Sequence, residues 1–511
     1  MGKSKYYKWY ILIISVVASF MAILDINIVT VALPKMMSHY GENATNIEWV
    51  MIAYTITYSI IILLTTYTSK KYGLKIPFIV SILFFLLGSA LCGMAPSFKF
   101  LVLFRVIQAI GGAGLIPISL NLLAKYFEPN ERGKAMGIWT IGIMMAPAIG
   151  PLLGGYFVDY VDWRMIFYIN IPVGFILLLL TVAILDNDIP IKKYMHKFDY
   201  VGFIFIGIFL GTLLYVLNEG QTLEWNSRII MTLEIISFSS LLLFLINEIF
   251  TESPIIDFRI FKNYNFVMGN IVSMVRSAAI FSSMFILPLF IENILNYNAM
   301  RAGILMIPLA LAVAVVSPLA GTISDKIGPK YLLAAGMIIL GYSNFALGNL
   351  SLNTSIDYIA WNQILRGIGI GLINAPVMST VINSVGWELI PEASALYNVL
   401  FQVGASFGIA GIGYELVVRQ VYHLNQFARD ITQNSASAKS ILNFLHNDLI
   451  RNAPSYFRYN SFPAYTIKFF DNLIYLYSEI SSFGDVFVVL AYLCIIGLLS
   501  AILVKNTKYN K

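Results

Sequence analysis

Two ionisable residues stand in places where an apolar chain should not carry them. Asp25 lies inside the run from Trp9 to Leu33, and Arg105 lies midway along the run from Lys99 to Leu123. In hydrocarbon each such group costs at least ~2.5–3.5 kcal/mol, which makes it a functional candidate by default. Burial raises a carboxyl pKa and a nearby cation lowers it. A carboxyl held between those influences can take up a proton on one side of a barrier and release it on the other. Arg105 is the natural counter-charge; a static ion pair that fixes helix packing is the plainer alternative.

The C-terminal half has cations of the same kind without an equally central acid. Arg276 and Arg366 both fall in apolar stretches, whereas Glu234 and Glu415 fall near the ends of theirs. Two buried cations could attract an anionic or zwitterionic substrate, or each could bond backbone carbonyls. Asn27, Trp49, Tyr54, Tyr58, Gln108, Met144, Met145 and Gln402 would add an aromatic, polarizable and polar lining suited to an apolar substrate. Any one of these is equally at home in ordinary packing.

Composition says what must position these residues. Of 511 residues, 58% are hydrophobic and 12% charged. Soluble domains run nearer ~45–50% and ~25%. The apolar residues are gathered into runs, such as Ile76–Met94, Met165–Leu185 and Ile229–Ile246, close to the ~20 residues needed to cross a bilayer. Without water to satisfy the backbone, such runs are helices. Runs and punctuation predict fourteen, near 9–33, 47–68, 76–94, 99–123, 134–158, 163–185, 198–217, 229–250, 265–291, 299–322, 331–351, 356–383, 393–419 and 485–504. The short turn Asp159–Asp162 separates the fifth from the sixth. Lys3, Lys5 and Lys8 before the first run mimic a signal peptide, but the run outlasts signal-peptide length and no small-residue cleavage pattern ends it.

The net charge of +6 does not suggest a nucleic-acid partner, because the basic residues sit in short loops. With the N-terminus inside, the inner segments and tails carry about nineteen basic residues and the short outer loops about five. This predicts a multi-pass protein of the plasma or inner membrane with both termini cytoplasmic. Residues 420–484 form a long outer loop, whose Phe, Tyr and Ile content suggests a folded cap. Cys92 and Cys494 lie in apolar runs and the four histidines are isolated, so neither a disulfide scaffold nor a metal site is expected. No G-x-x-x-x-G-K-[ST] phosphate loop occurs, and Gly367-Ile-Gly369-Ile-Gly371 lies inside a predicted membrane helix. The chain is therefore expected to be no enzyme and to need no cofactor. Its partners would be the lipid bilayer and a small hydrophobic or amphiphilic substrate, with a periplasmic adaptor as a further possibility.

The chain repeats itself. Gly321-Thr-Ile-Ser-Asp325-Lys-Ile-Gly328-Pro-Lys330 after the tenth helix echoes Thr66-Tyr-Thr-Ser-Lys70-Lys-Tyr-Gly73-Leu-Lys75 after the second. Arg105-Val-Ile-Gln108-Ala-Ile-Gly111-Gly-Ala-Gly114-Leu-Ile-Pro117 in the fourth echoes Arg366-Gly-Ile-Gly369-Ile-Gly371-Leu-Ile-Asn-Ala-Pro376 in the twelfth. An offset of eight implies two six-helix halves around two spare helices, a common transporter plan. The expected division is 1–190, a two-helix linker 191–262, and 263–511.

These residues resemble the major facilitator superfamily, and more narrowly its fourteen-helix drug:proton antiporters of the EmrB/QacA type. Gly321, Asp325, Gly328 and Lys330 resemble the superfamily's cytoplasmic loop motif. Leu24-Asp25-Ile-Asn27-Ile-Val-Thr30-Val-Ala-Leu-Pro34 resembles the first-helix motif of drug exporters, and Arg105–Gly114 their fourth-helix motif. Pro147, Gly150, Pro151, Gly154 and Gly155 resemble the antiporter motif of the fifth helix, suited to a rocking interface. Trp163-Arg164-Met-Ile-Phe-Tyr-Ile-Asn170-Ile-Pro172-Val-Gly174 resembles the start of the sixth. The first loop departs from the pattern, with Thr66 and Lys70 in place of the usual Gly and Asp. The resemblance implies an all-α major facilitator fold, Asp25 and Arg105 as proton-coupling residues facing a central cavity, and a proton gradient as the energy source. The expected activity is efflux of hydrophobic toxic compounds by alternating access. The alternative is export of an endogenous lipid, siderophore or fatty-acid-like metabolite.

Overall fold

A computed structural model describes residues 6–187, 198–251, 254–297, 299–430 and 462–506. Fourteen helices long and apolar enough to cross a membrane occur among them. They are α1 Tyr7–Tyr40, α2 Trp49–Tyr72, α3 Lys75–Gly93, α4 Phe98–Tyr126, α5 Arg132–Tyr160, α6 Met165–Ile184 and α7 Tyr200–Glu219. The second seven are α8 Arg228–Phe250, α9 Tyr264–Ile294, α10 Arg301–Ile327, α11 Lys330–Leu347, α12 Ile356–Asn383, α13 Trp387–Arg429 and α14 Asn472–Leu503. No strand occurs among the described residues.

Local chemistry sets many of the ends. Asp199, Ser227, Asn263 and Ser355 each accept a hydrogen bond from a backbone N–H of the helix that follows, filling orphan donors of its first turn. Gly41 closes α1 in the left-handed conformation, φ +69°, where a Cβ would be strained. The expected outer loop 420–484 is shorter than the apolar runs suggest. The helix of α13 continues to Asp430, and that of α14 begins at Phe462. Residues 420–430 are too polar to read as a span, yet hold no Gly or Pro to stop a helix. The centre of the expected cap, 431–461, lies outside the described residues.

The packing repeats with an offset of eight. α1 lies on α5 as α9 lies on α13; α2 on α4 as α10 on α12; α3 on α4 as α11 on α12; and α3 on α6 as α11 on α14. Across the two sets, α5 meets α10 and α2 meets α13. α7 and α8 pack on each other, and α7 also touches α2 and α13. Large apolar side chains such as Ile235, Phe238, Ile249 and Phe250 of α8 point outward and exposed, as a lipid-facing surface requires. An even number of crossings returns the chain to the face on which it started. That face is called proximal below, and the opposite one distal.

Candidate functional site

The densest polar cluster lies inside the N-terminal set and draws on five helices. α3 and α4 can deliver their side chains to one point because glycines let them touch. A Cβ at Gly88 would strike the backbone of Gln108, and one at Gly111 the backbone of Phe85. Asp25 of α1 and Arg105 and Gln108 of α4 are all fully buried. The Arg105 guanidinium donates through Nη1 to Asp25 Oδ2 at 2.5 Å and to Gln108 Oε1 at 2.7 Å. Its Nε donates to the carbonyl of Val50 in α2 at 3.1 Å.

The other carboxylate oxygen of Asp25 accepts from Gln108 Nε2 at 2.7 Å and Asn170 Nδ2 at 2.8 Å. Ser89 of α3 accepts from the same Gln108 amide at 2.8 Å. Tyr54 lays its ring 4.2 Å from the Arg105 guanidinium, and Tyr58 stacks beside Tyr54 at 6.3 Å. A carboxylate with three donors, one of them the paired cation, is a satisfied buried charge. Among the described residues, Arg105 Nη2 and the Tyr54 hydroxyl of this cluster are left without a hydrogen-bond partner.

Structure and sequence reasoning meet here on Asp25, Arg105, Gln108, Tyr54 and Tyr58. Ser89 was missed; a single Ser in an apolar run offers no signal. Asn170 stands in a quoted motif but was given no role, although it opens the longer segment of α6, Asn170–Ile184. Asn27 is two residues beyond Asp25 and bonds its own helix at Ile23. Trp49 is brought elsewhere, to the distal rim, with its ring 5.7 Å from Tyr215 of α7. Met145 lines an apolar cleft of about 310 Å³ between α1 and α5 with Val16, Val17, Phe20 and Gly142; Met144 is half-buried beside it.

The fifth-helix motif brings α5 against the helix of Asp25. A Cβ at Gly150 would lie 2.9 Å from the Asn27 side chain, and one at Gly154 would lie 3.2 Å from Ile28. Gly155 faces open space and Pro147 is half-buried. Pro151 lies in the helix, but its side chain is outside the described ones.

The loop motifs close the proximal face at two crossings. Asp325 of α10 accepts from the backbone N–H groups of Gly133 and Lys134 at 3.0 Å each, capping the first turn of α5. Gly321 makes this possible, because a Cβ there would collide with the Gly133 carbonyl. Gly328 ends α10 at φ +90°, and the Lys330 N–H donates to Asn506 at 3.3 Å. At the other crossing Lys70 of α2 pairs with Glu392 in the first turn of α13, both buried. Thr66 donates to the Pro391 carbonyl at 3.3 Å. The replaced residues of the first loop thus make a contact of their own.

In the C-terminal set, Arg366 of α12 is fully buried, donates to Gln363 at 2.7 Å, and leaves Nε and Nη2 without partners. Arg276 of α9 donates to the Tyr397 hydroxyl at 3.0 Å, and its guanidinium lies 5.0 Å from the ring of Phe401. Gln402 follows Phe401 on α13 and is half-buried. Neither arginine is ion-paired among the described residues.

Comparison with known proteins gives a consistent picture. Residues 15–409 match the family model described as Major Facilitator Superfamily. A Multidrug resistance protein B homolog of Mycobacterium tuberculosis is 29% identical over 401 residues, 78% of this chain and 74% of that one. The fatty acid resistance protein FarB of Neisseria gonorrhoeae is 29% identical over 421 residues, 82% of this chain and 83% of that one. Among solved structures, the proton:xylose symporter XylE is similar with a TM-score of 0.62. It covers 96% of this chain and 94% of its own, at 12% identity, a likeness that concerns the fold alone.

Proposed function

The chain belongs to the major facilitator superfamily, and on that premise we propose that it is a secondary transporter exchanging protons for hydrophobic toxic compounds by alternating access. The observation that carries this reading is the Asp25–Arg105 pair, fully buried among α1, α2, α3, α4 and α6. A proton arriving at Asp25 cancels the charge that holds Arg105 and loosens the donors Gln108 and Asn170. α1, packed through Asn27 and Ile28 on the glycines of α5, then passes the change to the helix that meets α10. Departure of the proton restores the pair and the arrangement that goes with it. A ligand shifts such an equilibrium only by its differential affinity for the two states, so proton and substrate must each prefer one of them.

The proximal face is cytoplasmic in this reading, in accord with the charge bias of the short loops, and the membrane is the plasma or inner membrane. Residues 1–190 and 263–511 act as the two rocking bundles and 191–262 as the linker. The proton gradient supplies the energy; the protein catalyses no covalent step and uses no cofactor. A periplasmic adaptor would engage the distal end of α13 and α14. The relatives' names include both multidrug and fatty acid resistance, so export of a lipid-like or other endogenous metabolite is the second reading.

The test is drug-induced proton movement in inverted vesicles, followed by a lumenal pH dye. Wild-type protein is expected to release lumenal protons when substrate is added, and Asp25→Asn to give the signal of empty vesicles. An unchanged signal in Asp25→Asn would remove Asp25 from the mechanism. Absence of any response across drugs and lipid-like compounds would remove proton-coupled export itself.

A further inference from the structure

Arg276 is a cation without an anion. It is 3% exposed, its Nε has no hydrogen-bond partner, and no carboxylate pairs with it among the described residues. Of the acids on the helices around it, Glu292 lies at the distal end of α9 and Asp357 in the first turn of α12, Glu392 pairs with Lys70, and Glu415 and Asp485 both pair with Arg419. Among the described residues, its hydrogen bond goes to the Tyr397 hydroxyl. The polar surroundings are incomplete in the same place. Ser273 Oγ, one turn before Arg276 on α9, and Asn270 Oδ1, a turn earlier again, are buried without partners. Buried polar groups are normally satisfied, and a cluster of orphans asks what would satisfy them.

The helix packing brings aromatic residues of α13 to Arg276. α9 and α13 meet closely where Gly404 and Gly408 lie; a Cβ at Gly404 would be 2.6 Å from Ser277 Oγ, and one at Gly408 2.6 Å from Ala278. Side chains on a helix lean toward its N-terminus. Arg276 therefore reaches from that crossing back toward the proximal side, where Phe401 and Tyr397 stand one and two turns before Gly404 on α13. Around the guanidinium the walls are aromatic. Phe401 lies 5.0 Å away, Phe281 packs edge-on to Phe401 at 5.8 Å, and Tyr397 stacks on Phe401 at 6.4 Å.

We propose that the α9–α13 interface around Arg276 is the subsite for the anionic head group, a carboxylate or its like, of an amphiphilic substrate. The guanidinium presents a planar fork of donors suited to a carboxylate. Ser273 and the Tyr397 hydroxyl complete the head-group contacts, and the Phe281 and Phe401 rings take the first methylenes of the tail. Arg366, fully buried and likewise without an acid partner, adds to the positive potential of the same half. The inference rests on the export reading for the direction of travel, but it concerns binding and is read without transport.

Purified protein in nanodiscs of zwitterionic lipid is titrated with decanoate, decyltrimethylammonium and acetate, with empty nanodiscs subtracted. The first two share a tail and differ in head charge; acetate has the head without the tail. Wild-type protein is expected to bind decanoate at least ~10-fold tighter than either of the others, a difference of one decade in Kd. Arg276→Gln should abolish that preference by weakening decanoate alone, and Arg276→Lys should weaken it less. Both variants are checked for an unchanged melting temperature; if Arg276→Gln fails to fold, the intermediate loss in Arg276→Lys carries the test. Equal binding of decanoate and decyltrimethylammonium, or a preference untouched by both substitutions, overturns the proposal. Acetate binding as tightly as decanoate overturns it too, in favour of a small free anion. Loss of proton exchange with Arg276-dependent binding intact counts only against the export reading.

Discussion

Each half gathers buried amide and hydroxyl side chains near an arginine of its fourth helix, but the two clusters differ in charge. In the N-terminal set, Ser89, Gln108 and Asn170 gather round an arginine already matched by Asp25. In the C-terminal set, Ser283 bonds Asn344, Ser343 bonds Asn362, and Gln363 bonds Arg366, with no carboxylate among them. The repeat has kept an arginine in each fourth helix, but the fully buried acid of α1 has no such counterpart in α9, whose one acid, Glu292, lies at its distal end. On the two proposals above, one half exchanges a proton and the other attracts a negative charge from outside. The proximal crossings differ in a parallel way: an aspartate caps α5 at one, while a lysine meets the glutamate of α13 at the other.

The sharpest way to break this comparison is to treat the two arginines alike. Arg105→Gln strands the Asp25 carboxylate in a dry interior, and removing one partner of a buried pair costs ~3–5 kcal/mol. Arg366→Gln removes a charge that has no acid partner. Thermal unfolding in detergent should show a large fall in melting temperature for the first and no fall for the second. Equal falls would mean that Arg366 is matched as well as Arg105 and that the halves do not differ as described.

A smaller effect is expected at the lysine crossing. Lys70→Glu places two acids together at the start of α13, and Glu392→Lys places two lysines there. Each should weaken the closed proximal face and raise labelling of a cysteine at Thr65, behind the crossing, by an impermeant thiol reagent. The double exchange Lys70→Glu with Glu392→Lys should bring labelling back to the wild-type rate. Labelling that stays high in the double variant would show that the pair does not hold the face shut by charge.

Much of this is legible in the sequence. The fourteen helices follow from run length alone, and the offset of eight from two repeated segments. Asp25 and Arg105 were visible because charge in an apolar run is conspicuous. Ser89 was not, because a serine hydroxyl inside a membrane helix readily bonds its own backbone, as Ser119 and Ser283 do here, and Tyr397 was not, because a lone aromatic in an apolar run reads as packing. The Lys70–Glu392 pair was hidden for another reason. Its members lie 322 positions apart, and Lys70 reads first as one more basic residue of an inner loop. Only the meeting of α2 and α13 turns the departure from the family pattern into an exchange of charge.

The aspartate crossing should respond least. Asp325 holds α5 through two backbone N–H groups at 3.0 Å, so its task is to cap a helix rather than to match a side-chain charge. Asp325→Asn keeps an oxygen that can accept one of those bonds and loses the negative charge at the helix N-terminus. That charge is worth ~0.3–1 kcal/mol in ordinary exposure and up to ~2 kcal/mol when partly buried. By the same labelling assay, Asp325→Asn should open the proximal face by ~2–30-fold, since ~1.4 kcal/mol is a decade in population. Asp325→Ala, which loses both acceptors and leaves the two N–H groups unpaired, should open it further. The order alanine, asparagine, aspartate is what a cap requires. An asparagine variant as open as Lys70→Glu would instead mean that both crossings work by charge, and the contrast between them would reduce to its sign.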